Sequence, residues 1–407
     1  MKKRLLSLLI AMCMMITMIP MAFAANTTMD ETTFRNAVAA GGTVTLTGNV
    51  TLTSPLTISN AVTIDGTSAK YAISYTGGES EYTITTTVPN VVLKNLTINR
   101  NSAQNGVNAS NSGLEIVDCD INAYRRGVNF YISGNNDNAT LDISGTKIVN
   151  TKADDTYGVY YSTDNRGVAT GNIKNGMITI EDSQILGFKY SINPVIDPVN
   201  SLRDGNGTMF DVSNTVIKGW TALNIWSANT DFYFTDCTLI GVNGLSGDSN
   251  NYSVITANHG IYGNVANTGS AVTFEGGSLV AVKYGGSDQT VFNVDNEYKT
   301  EFAFENGTDN KPVSIKCYRS DNTEMLRVAH VWNFYYFDAI VNPEAAAAKA
   351  DQYMKDKVTG YSDDYVAAGT ISEYENMFAG VTGYAEADTD AEFELAFEQN
   401  HVGGDVQ

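Results

Sequence analysis

The stretch VVLKNLTI at 91–98 holds a short pattern that recurs along the chain as far as Leu279. Apolar residues alternate with other residues on both sides of Asn95, which predicts two short strands of period two joined at one bend. Six further copies follow: LEIVDCDI at 114–121, LDISGTKI at 141–148, ITIEDSQI at 178–185, FDVSNTVI at 210–217, FYFTDCTL at 232–239 and VTFEGGSL at 272–279. The bend position holds only residue types that tolerate a left-handed backbone: Asn95, Asp118, Gly145, Asp182, Asn214, Asp236 and Gly276.

The spacing of the copies predicts a coil of stacked turns. The shortest step is one turn, and the longer steps predict the same turn with inserted loops within 149–177, 186–209 and 240–271. Stacked copies bury a continuous apolar column that one copy cannot bury alone. The prediction is therefore an all-β parallel solenoid, with regular rungs over about 91–280. An antiparallel β-sandwich also has alternating strands, but it does not require the same bend residue at the same offset.

Charge and composition limit the classes of partner. The chain has 407 residues, 36 glycines, 7 prolines and a formal net charge of −20. Abundant glycine suits many tight turns, and scarce proline suits many paired strands. An acidic surface repels nucleic acid and anionic lipid, so we expect no nucleic-acid partner.

Residues 1–24 have the features of a secretory signal peptide. Lys2, Lys3 and Arg4 precede an apolar run, and Ala22-Phe23-Ala24 supplies a small-x-small cleavage site. We therefore expect a secreted or cell-surface protein. No later stretch is long and apolar enough to span a bilayer, so we expect no membrane insertion of the mature chain.

Cys119 and Cys237 occupy the same inward position in the second and sixth copies. Four rung spacings separate them by about 19 Å, which is beyond disulfide reach. With Cys317, the mature chain has an odd number of cysteines, which argues against a disulfide framework. We predict that Cys119 and Cys237 are buried free thiols.

The segment 25–340 is the predicted β-helix domain. It begins with an amphipathic helix over about 30–40, capped by Asp30 and ended by Gly41-Gly42, with Phe34, Ala37 and Val38 on one face. Such a helix covers the open end of a solenoid. Strand patterns follow at four short runs, which we interpret as the first, less regular rungs: 43–47, 50–53, 56–58 and 61–64. The run from Val291 to Val341 also alternates, which predicts either the final rungs or a covering sheet.

The predicted C-terminal tail is acidic and partly helical. A helix is expected from Pro343 to Lys357, capped by Asn342, and 341–388 as a whole reads as this helix plus an acidic linker. The segment 389–407 repeats the features of the N-terminal capping segment, with Phe393 and Ala396 before a second Gly-Gly. It is the possible start of a second β-helix module.

The capping helix, the Gly-Gly start followed by TVTL and the repeated bend together resemble the pectate lyase-like superfamily of right-handed parallel β-helices. Within it, the chain is most similar to the pectate lyase-like adhesive-domain surface proteins of Gram-positive bacteria. The resemblance covers roughly 30–340 and implies the fold. Because this superfamily contains lyases, glycoside hydrolases and non-catalytic adhesins, it does not choose an activity.

Catalytic motifs of that superfamily are incomplete here. Asn229-Thr230-Asp231 matches the first hydrolase motif and Asn258-His259-Gly260 half-matches another, but the paired carboxylates needed for hydrolysis are missing. We therefore name no catalytic residue. The lyase branch implies a cation held by outward acids with a basic residue beside it. Glu115 and Asp142 occupy stacked outward positions, and Lys147, Arg125 and Arg126 are close in sequence. This pair is the candidate metal site, for Ca²⁺, in a chain that otherwise predicts no cofactor.

Aromatic and polar residues of the inserted loops are candidate glycan ligands, because rings stack on sugar faces while polar groups bond sugar hydroxyls. The candidates are Tyr157, Tyr160, Tyr161, Asp164, Arg166 and Tyr252. Tyr190 lies in the second of these loops. The sequence thus favours a non-catalytic, adhesin-like protein that binds polysaccharides or cell-surface glycans. The alternative is a lyase or glycosidase acting on acidic polysaccharide.

Overall fold

A computed structural model describes most of the chain between Thr27 and Trp332. The described residues are 27–78, 81–99, 105–110, 113–131, 138–153, 158–160, 165–171, 173, 175–195, 207–227, 230–243, 253–257, 270–283, 290–295, 301–308, 310–311, 313–319, 324–325 and 329–332. The predicted signal peptide at 1–24, the helix and acidic linker at 341–388 and the possible second module at 389–407 lie outside these ranges.

The helix α1 (Glu31–Ala40) begins and ends at the predicted residues. The Asp30 carboxylate accepts a hydrogen bond from the Thr33 N–H at 2.8 Å, and Gly41 follows the helix with a φ of 77°. Phe34 and Val38 are buried, and α1 packs against the first three strands of the chain. The helix therefore covers the start of the apolar core, as predicted.

In the described part of the chain, twenty-nine strands follow, numbered in chain order, and they form a ten-stranded and a nineteen-stranded sheet. The ten-stranded sheet is called the first stack and contains β1 (Gly42–Thr45), β4 (Val62–Asp65), β7 (Val91–Lys94), β10 (Leu114–Val117), β13 (Thr140–Ser144), β16 (Met177–Glu181), β18 (Thr208–Ser213), β20 (Thr230–Thr235), β23 (Ala271–Glu275) and β26 (Glu301–Glu305).

The nineteen-stranded sheet contains two further stacks. The second stack contains β2 (Val50–Leu52), β5 (Ala72–Tyr75), β8 (Thr97–Ile98), β11 (Asp120–Ala123), β14 (Lys147–Asn150), β17 (Gln184–Val195), β19 (Val216–Asn224), β21 (Thr238–Asn243), β24 (Ser278–Lys283) and β27 (Ser314–Arg319). The third stack contains β3 (Leu56–Ile58), β6 (Tyr82–Thr86), β9 (Asn105–Ala109), β12 (Arg126–Tyr131), β15 (Arg166–Gly171), the later halves of β17 and β19, β22 (Ser253–Ala257), β25 (Thr290–Asp295) and β29 (Ala329–Trp332).

The chain visits the first, second and third stacks in turn and then returns to the first. Neighbouring strands within each stack pair in parallel, and the short β28 (Glu324–Met325) pairs antiparallel with β27. This circuit is compatible with a parallel β-helix and excludes an antiparallel sandwich. The described strands at 314–319 and 329–332 continue the stacks, so they are final rungs and not a covering sheet.

The predicted bends and register are confirmed. All seven bend residues have a φ between 47° and 67°, with Asn214 at the lower and Gly276 at the upper value. Leu114 pairs with Val91 below it and with Leu141 above it, so equivalent apolar residues lie one above another. Each fully buried aliphatic or aromatic side chain contributes about 1.5–3 kcal/mol to stability. The Phe210 and Phe232 rings, 4.8 Å apart, extend this column with stacked aromatics.

One sequence prediction needs correction. The segments predicted as inserted loops contain strands, because a third strand follows the two strands of each bend. The strands β15 and β22 lie within 149–177 and 240–271, and β17 extends into 186–209. The first stack runs from Gly42 to Glu305, so the strands before 91 and after 280 continue the same parallel pairing. Within the described residues, no helix is long and apolar enough to cross a membrane.

Candidate functional site

Two of the predicted glycan-binding residues lie close together at the corner before the third stack. Tyr160 precedes β15 and Arg166 is the first residue of β15, and both are half-buried. The other predicted members of the set lie outside the described residues: Tyr157, Tyr161, Asp164 and Tyr252.

A repeated glycine determines where Arg166 lies. The third strands begin Asn105-Gly106-Val107, Arg126-Gly127-Val128 and Arg166-Gly167-Val168. A Cβ on Gly127 would lie 2.5 Å from the Gly167 carbonyl oxygen, and one on Gly167 would lie 2.6 Å from the Ser191 carbonyl oxygen. Only glycine permits this approach, so successive strands stack tightly at this point. The residue before each glycine is thereby held in one column on the outside of the corner.

Register places two arginines and a tyrosine in this column. Arg126 pairs with Arg166 on the neighbouring strand, and Arg166 pairs with Tyr190 on the next. The Arg166 guanidinium carbon lies 5.5 Å from the centre of the Trp226 ring, within the range of a cation–π contact. The Trp226 and Tyr190 rings are 5.8 Å apart and inclined at 53°. Arg166 is therefore the centre of a group of charged and aromatic side chains.

Two buried asparagines hold the neighbouring tyrosines. Asn150 Nδ2 donates to the Tyr124 carbonyl oxygen at 2.9 Å, and Asn165 Nδ2 donates to that of Tyr160 at 2.8 Å. The Asn165 Oδ1 accepts from Asn150 Nδ2 and from the Lys189 N–H. The Tyr124 and Tyr160 rings consequently lie 5.8 Å apart at an angle of 35°. The buried side-chain amides of Asn150 and Asn165 therefore fix the backbone conformation at this corner.

The arginines also act on Tyr82, in an earlier circuit. Burial raises the pKa of Tyr82, and the positive charges of Arg126, Arg166 and Arg125 partly offset that rise. Asn105 Oδ1 accepts from the Arg126 N–H at 2.9 Å and from the Arg125 N–H at 3.3 Å. A local concentration of positive charge thus exists on a chain whose formal net charge is −20.

We call this region the arginine–aromatic surface, and its members are Tyr82, Tyr124, Arg125, Arg126, Tyr160, Arg166, Tyr190 and Trp226. Aromatic rings bind the apolar faces of sugar rings, and guanidinium groups bind carboxylates or sulfates through paired hydrogen bonds. The arrangement is suited to an anionic glycan.

The candidate metal pair lies on a different part of the molecule. Glu115 and Asp142 are in-register neighbours on the first stack and both are exposed, as predicted. Lys147 lies on the second stack and Arg126 on the third, so these basic residues do not belong to the same stack as the acids. Among the described residues, no group of three or more His, Cys, Asp or Glu side chains could hold a metal ion.

Sequence reasoning missed Trp226 and Tyr124 as members of the site. The repeated Arg-Gly-Val at 126–128 and 166–168 is the signal that could have found the column, because it marks equivalent positions of the third strand. Trp226 has no such repeat around it, and its ring reaches Arg166 only through the fold.

No protein-family profile, curated protein or solved structure matches this chain.

Proposed function

We propose that this protein is a secreted or cell-surface, right-handed parallel β-helix that binds acidic glycans through the arginine–aromatic surface without transforming them. The right-handed coil is the expected hand for parallel strands joined by crossover connections. Three parallel stacks and a helix over the first circuit support the pectate lyase-like solenoid as the fold type.

One observation carries the binding proposal: Arg166 lies in register between Arg126 and Tyr190 while its guanidinium group contacts the Trp226 ring. A guanidinium group that packs against an indole is planar and pre-organised, and its fork of N–H donors matches a carboxylate or sulfate. The half-buried Trp226 ring beside it offers apolar area for a sugar face, and the buried Tyr190 ring lies 5.8 Å from it. A surface location is supported by the N-terminal signal pattern at 1–24.

The test is direct binding of the full chain to immobilised polysaccharides. Matched acidic and neutral polysaccharides should be compared at low and physiological salt, since screening weakens charge recognition. We expect the acidic polysaccharides to bind. The double variant R126M/R166M should have an affinity for them at least about tenfold lower, which corresponds to roughly 1.4 kcal/mol of binding free energy. Equal binding of acidic and neutral members, or unchanged binding by the double variant, would refute the proposal.

An enzymatic alternative is motivated by Glu115 and Asp142. Two exposed like charges on neighbouring strands repel each other unless a cation lies between them, which is how a calcium-dependent polysaccharide lyase or glycosidase would use them. A reducing-end release assay with Ca²⁺ and a panel of acidic polysaccharides tests this. Release that disappears in both E115Q and D142N would establish catalysis, and absence of release would leave the binding function.

A further inference from the structure

Two buried asparagines lie on the outer side of the third stack, beside the arginine–aromatic surface. Leu223 and Ile225 belong to the apolar core, so the alternating residues Asn224 and Trp226 face outward. Asn193 is on the neighbouring strand, and its Nδ2 donates to the Asn224 carbonyl oxygen at 2.7 Å. Both asparagine side chains are 0 % exposed.

Their remaining polar atoms have no hydrogen-bond partner within the structure. This applies to Oδ1 of Asn193 and to both Oδ1 and Nδ2 of Asn224. Most buried side-chain polar atoms in proteins are hydrogen-bonded, because a buried polar atom without a partner has lost its bonds to water with nothing in return. A bound ligand that supplied the missing hydrogen-bond partners would account for these buried amides.

In earlier circuits, asparagines at the equivalent position of the third stack are hydrogen-bonded to each other. Asn108 and Asn129 are half-buried there, and Asn129 Nδ2 donates to Asn108 Oδ1 at 2.7 Å. Asn129 pairs in register with Ala169, which pairs with Asn193. The column thus changes from half-buried, mutually bonded amides to buried amides with unpaired polar atoms, at the circuits that also carry Tyr190 and Trp226.

The aromatic rings extend over this part of the column. Tyr190 is at the start of the third-stack segment of β17, and Val195 is at the end of that segment. The backbone of Trp226 pairs with Val195, which is about 16 Å from Tyr190 along the strand. Their ring centres are nevertheless only 5.8 Å apart, so the two side chains reach towards each other. Asn193 lies between these two ends, and Asn224 is beside it.

We infer that Asn224 and Asn193 bind the acetamido group of an acidic, N-acetylated sugar whose carboxylate is bound by Arg166. An acetamido group has one carbonyl acceptor and one N–H donor, which complement Nδ2 and Oδ1 of Asn224. Its methyl group packs against the Trp226 indole, and Arg166 beside that ring takes the carboxylate. Rotation of the half-buried Trp226 side chain admits the group. This inference rests on the proposed function and specifies its ligand.

The test measures selectivity between matched ligands with the full chain. Sialyllactose is compared with its analogue in which a hydroxyl replaces the acetamido group. We expect at least a tenfold preference for the acetamido ligand. Asn224→Leu should abolish that preference while keeping binding of the other ligand, whereas R166M should weaken both ligands alike.

Folding of the variants is checked by thermal unfolding, and Asn193→Leu provides a second, independent change in the site. Equal affinity for the two ligands would overturn the inference while acidic-glycan binding stands. A preference that survives both asparagine changes would also overturn it, since the amides would then hold only water. If no acidic oligosaccharide binds, the proposed function and this inference fail together.

Discussion

Arg126 and Arg166 are partners in register on adjacent parallel strands, at a point where a stacked pair of glycines brings those strands together. Their backbones are one strand spacing apart, about 4.8 Å, so two like charges start from neighbouring positions, and an anion bound by both would reduce their repulsion. Register thus places two cationic residues side by side in a chain that is acidic as a whole.

Replacing Arg166 with methionine should reduce affinity for acidic polysaccharide by about tenfold, because its guanidinium group contacts the Trp226 ring. Arg126→Met should cause a smaller loss. Surface plasmon resonance at several salt concentrations measures this, and the slope of affinity against salt should fall in each variant. Lys94→Met removes a cation from the first stack and is the control. Equal losses in Lys94→Met and Arg166→Met would show a general charge effect.

Gly167→Ala should destabilise the fold by about 2 kcal/mol or more, since overpacking of a dense core typically has an effect of that size. The added Cβ would meet the Ser191 carbonyl oxygen at 2.6 Å and also the Ile185 side chain. Urea unfolding monitored by circular dichroism measures the change. Gly78→Ala, where the nearest atom is a Glu81 carboxylate oxygen at 3.2 Å, should be nearly neutral. Similar midpoints for both variants would contradict the stacked-glycine account.

Glu31→Gln should lower the melting temperature by about 1–3 °C at pH 7 and have less effect below about pH 4. Hydrogen bonds from the Thr53 N–H and the Arg35 side chain hold the pKa of Glu31 below its ordinary value. A depressed folded-state pKa contributes stability that is present above the unfolded pKa and is lost as pH falls through the folded pKa. Differential scanning calorimetry at several pH values measures this.

The matched control for this pH experiment is Glu115→Gln, which removes a carboxylate from an exposed position of the first stack. If Glu31→Gln lowered the melting temperature by the same amount from pH 7 to pH 3, the carboxylate charge would not stabilise the packing of α1 on the first circuit.

Cys119 and Cys237 should resist alkylation in the native protein at pH 8. Burial raises the pKa of each thiol to about 12, so almost no reactive thiolate is present. The Cys119 thiol also donates to the carbonyl oxygens of Val117 and Leu93 at 3.3 and 3.4 Å. Peptide mass spectrometry after iodoacetamide treatment should find both residues unmodified before denaturation and modified after it. Rapid native labelling, or a Cys119–Cys237 bridge, would contradict the register.

Local chemistry was sufficient to predict the bend and the inward columns. Asn95 and Asp182 adopt the left-handed conformation at the expected positions, because few other residue types do so without strain. Period-two alternation then determines which side chains face inward on either side of each bend. The free, buried state of Cys119 and Cys237 follows from that same register.

The third strand could not be predicted as easily. Its start is marked by glycine, as at Gly127 and Gly167, and glycine is also the usual sign of a loop. The contact that makes glycine necessary here is with the neighbouring circuit, which sequence spacing does not reveal. The sequence pattern consequently predicts loops at Arg166 and Tyr190, although both are strand residues.

The sequence by itself determined the repeating circuit, its bends, its inward columns and the helix that covers its first turn, since each depends on residues that are close together in the chain. Only the tertiary structure decided which side chains share the outer corner. Arg126, Arg166, Tyr190 and Trp226 come from different circuits, and parallel stacking brings them together. The number of residues between circuits varies, so the distance between such side chains is determined by strand register and not by their separation in sequence.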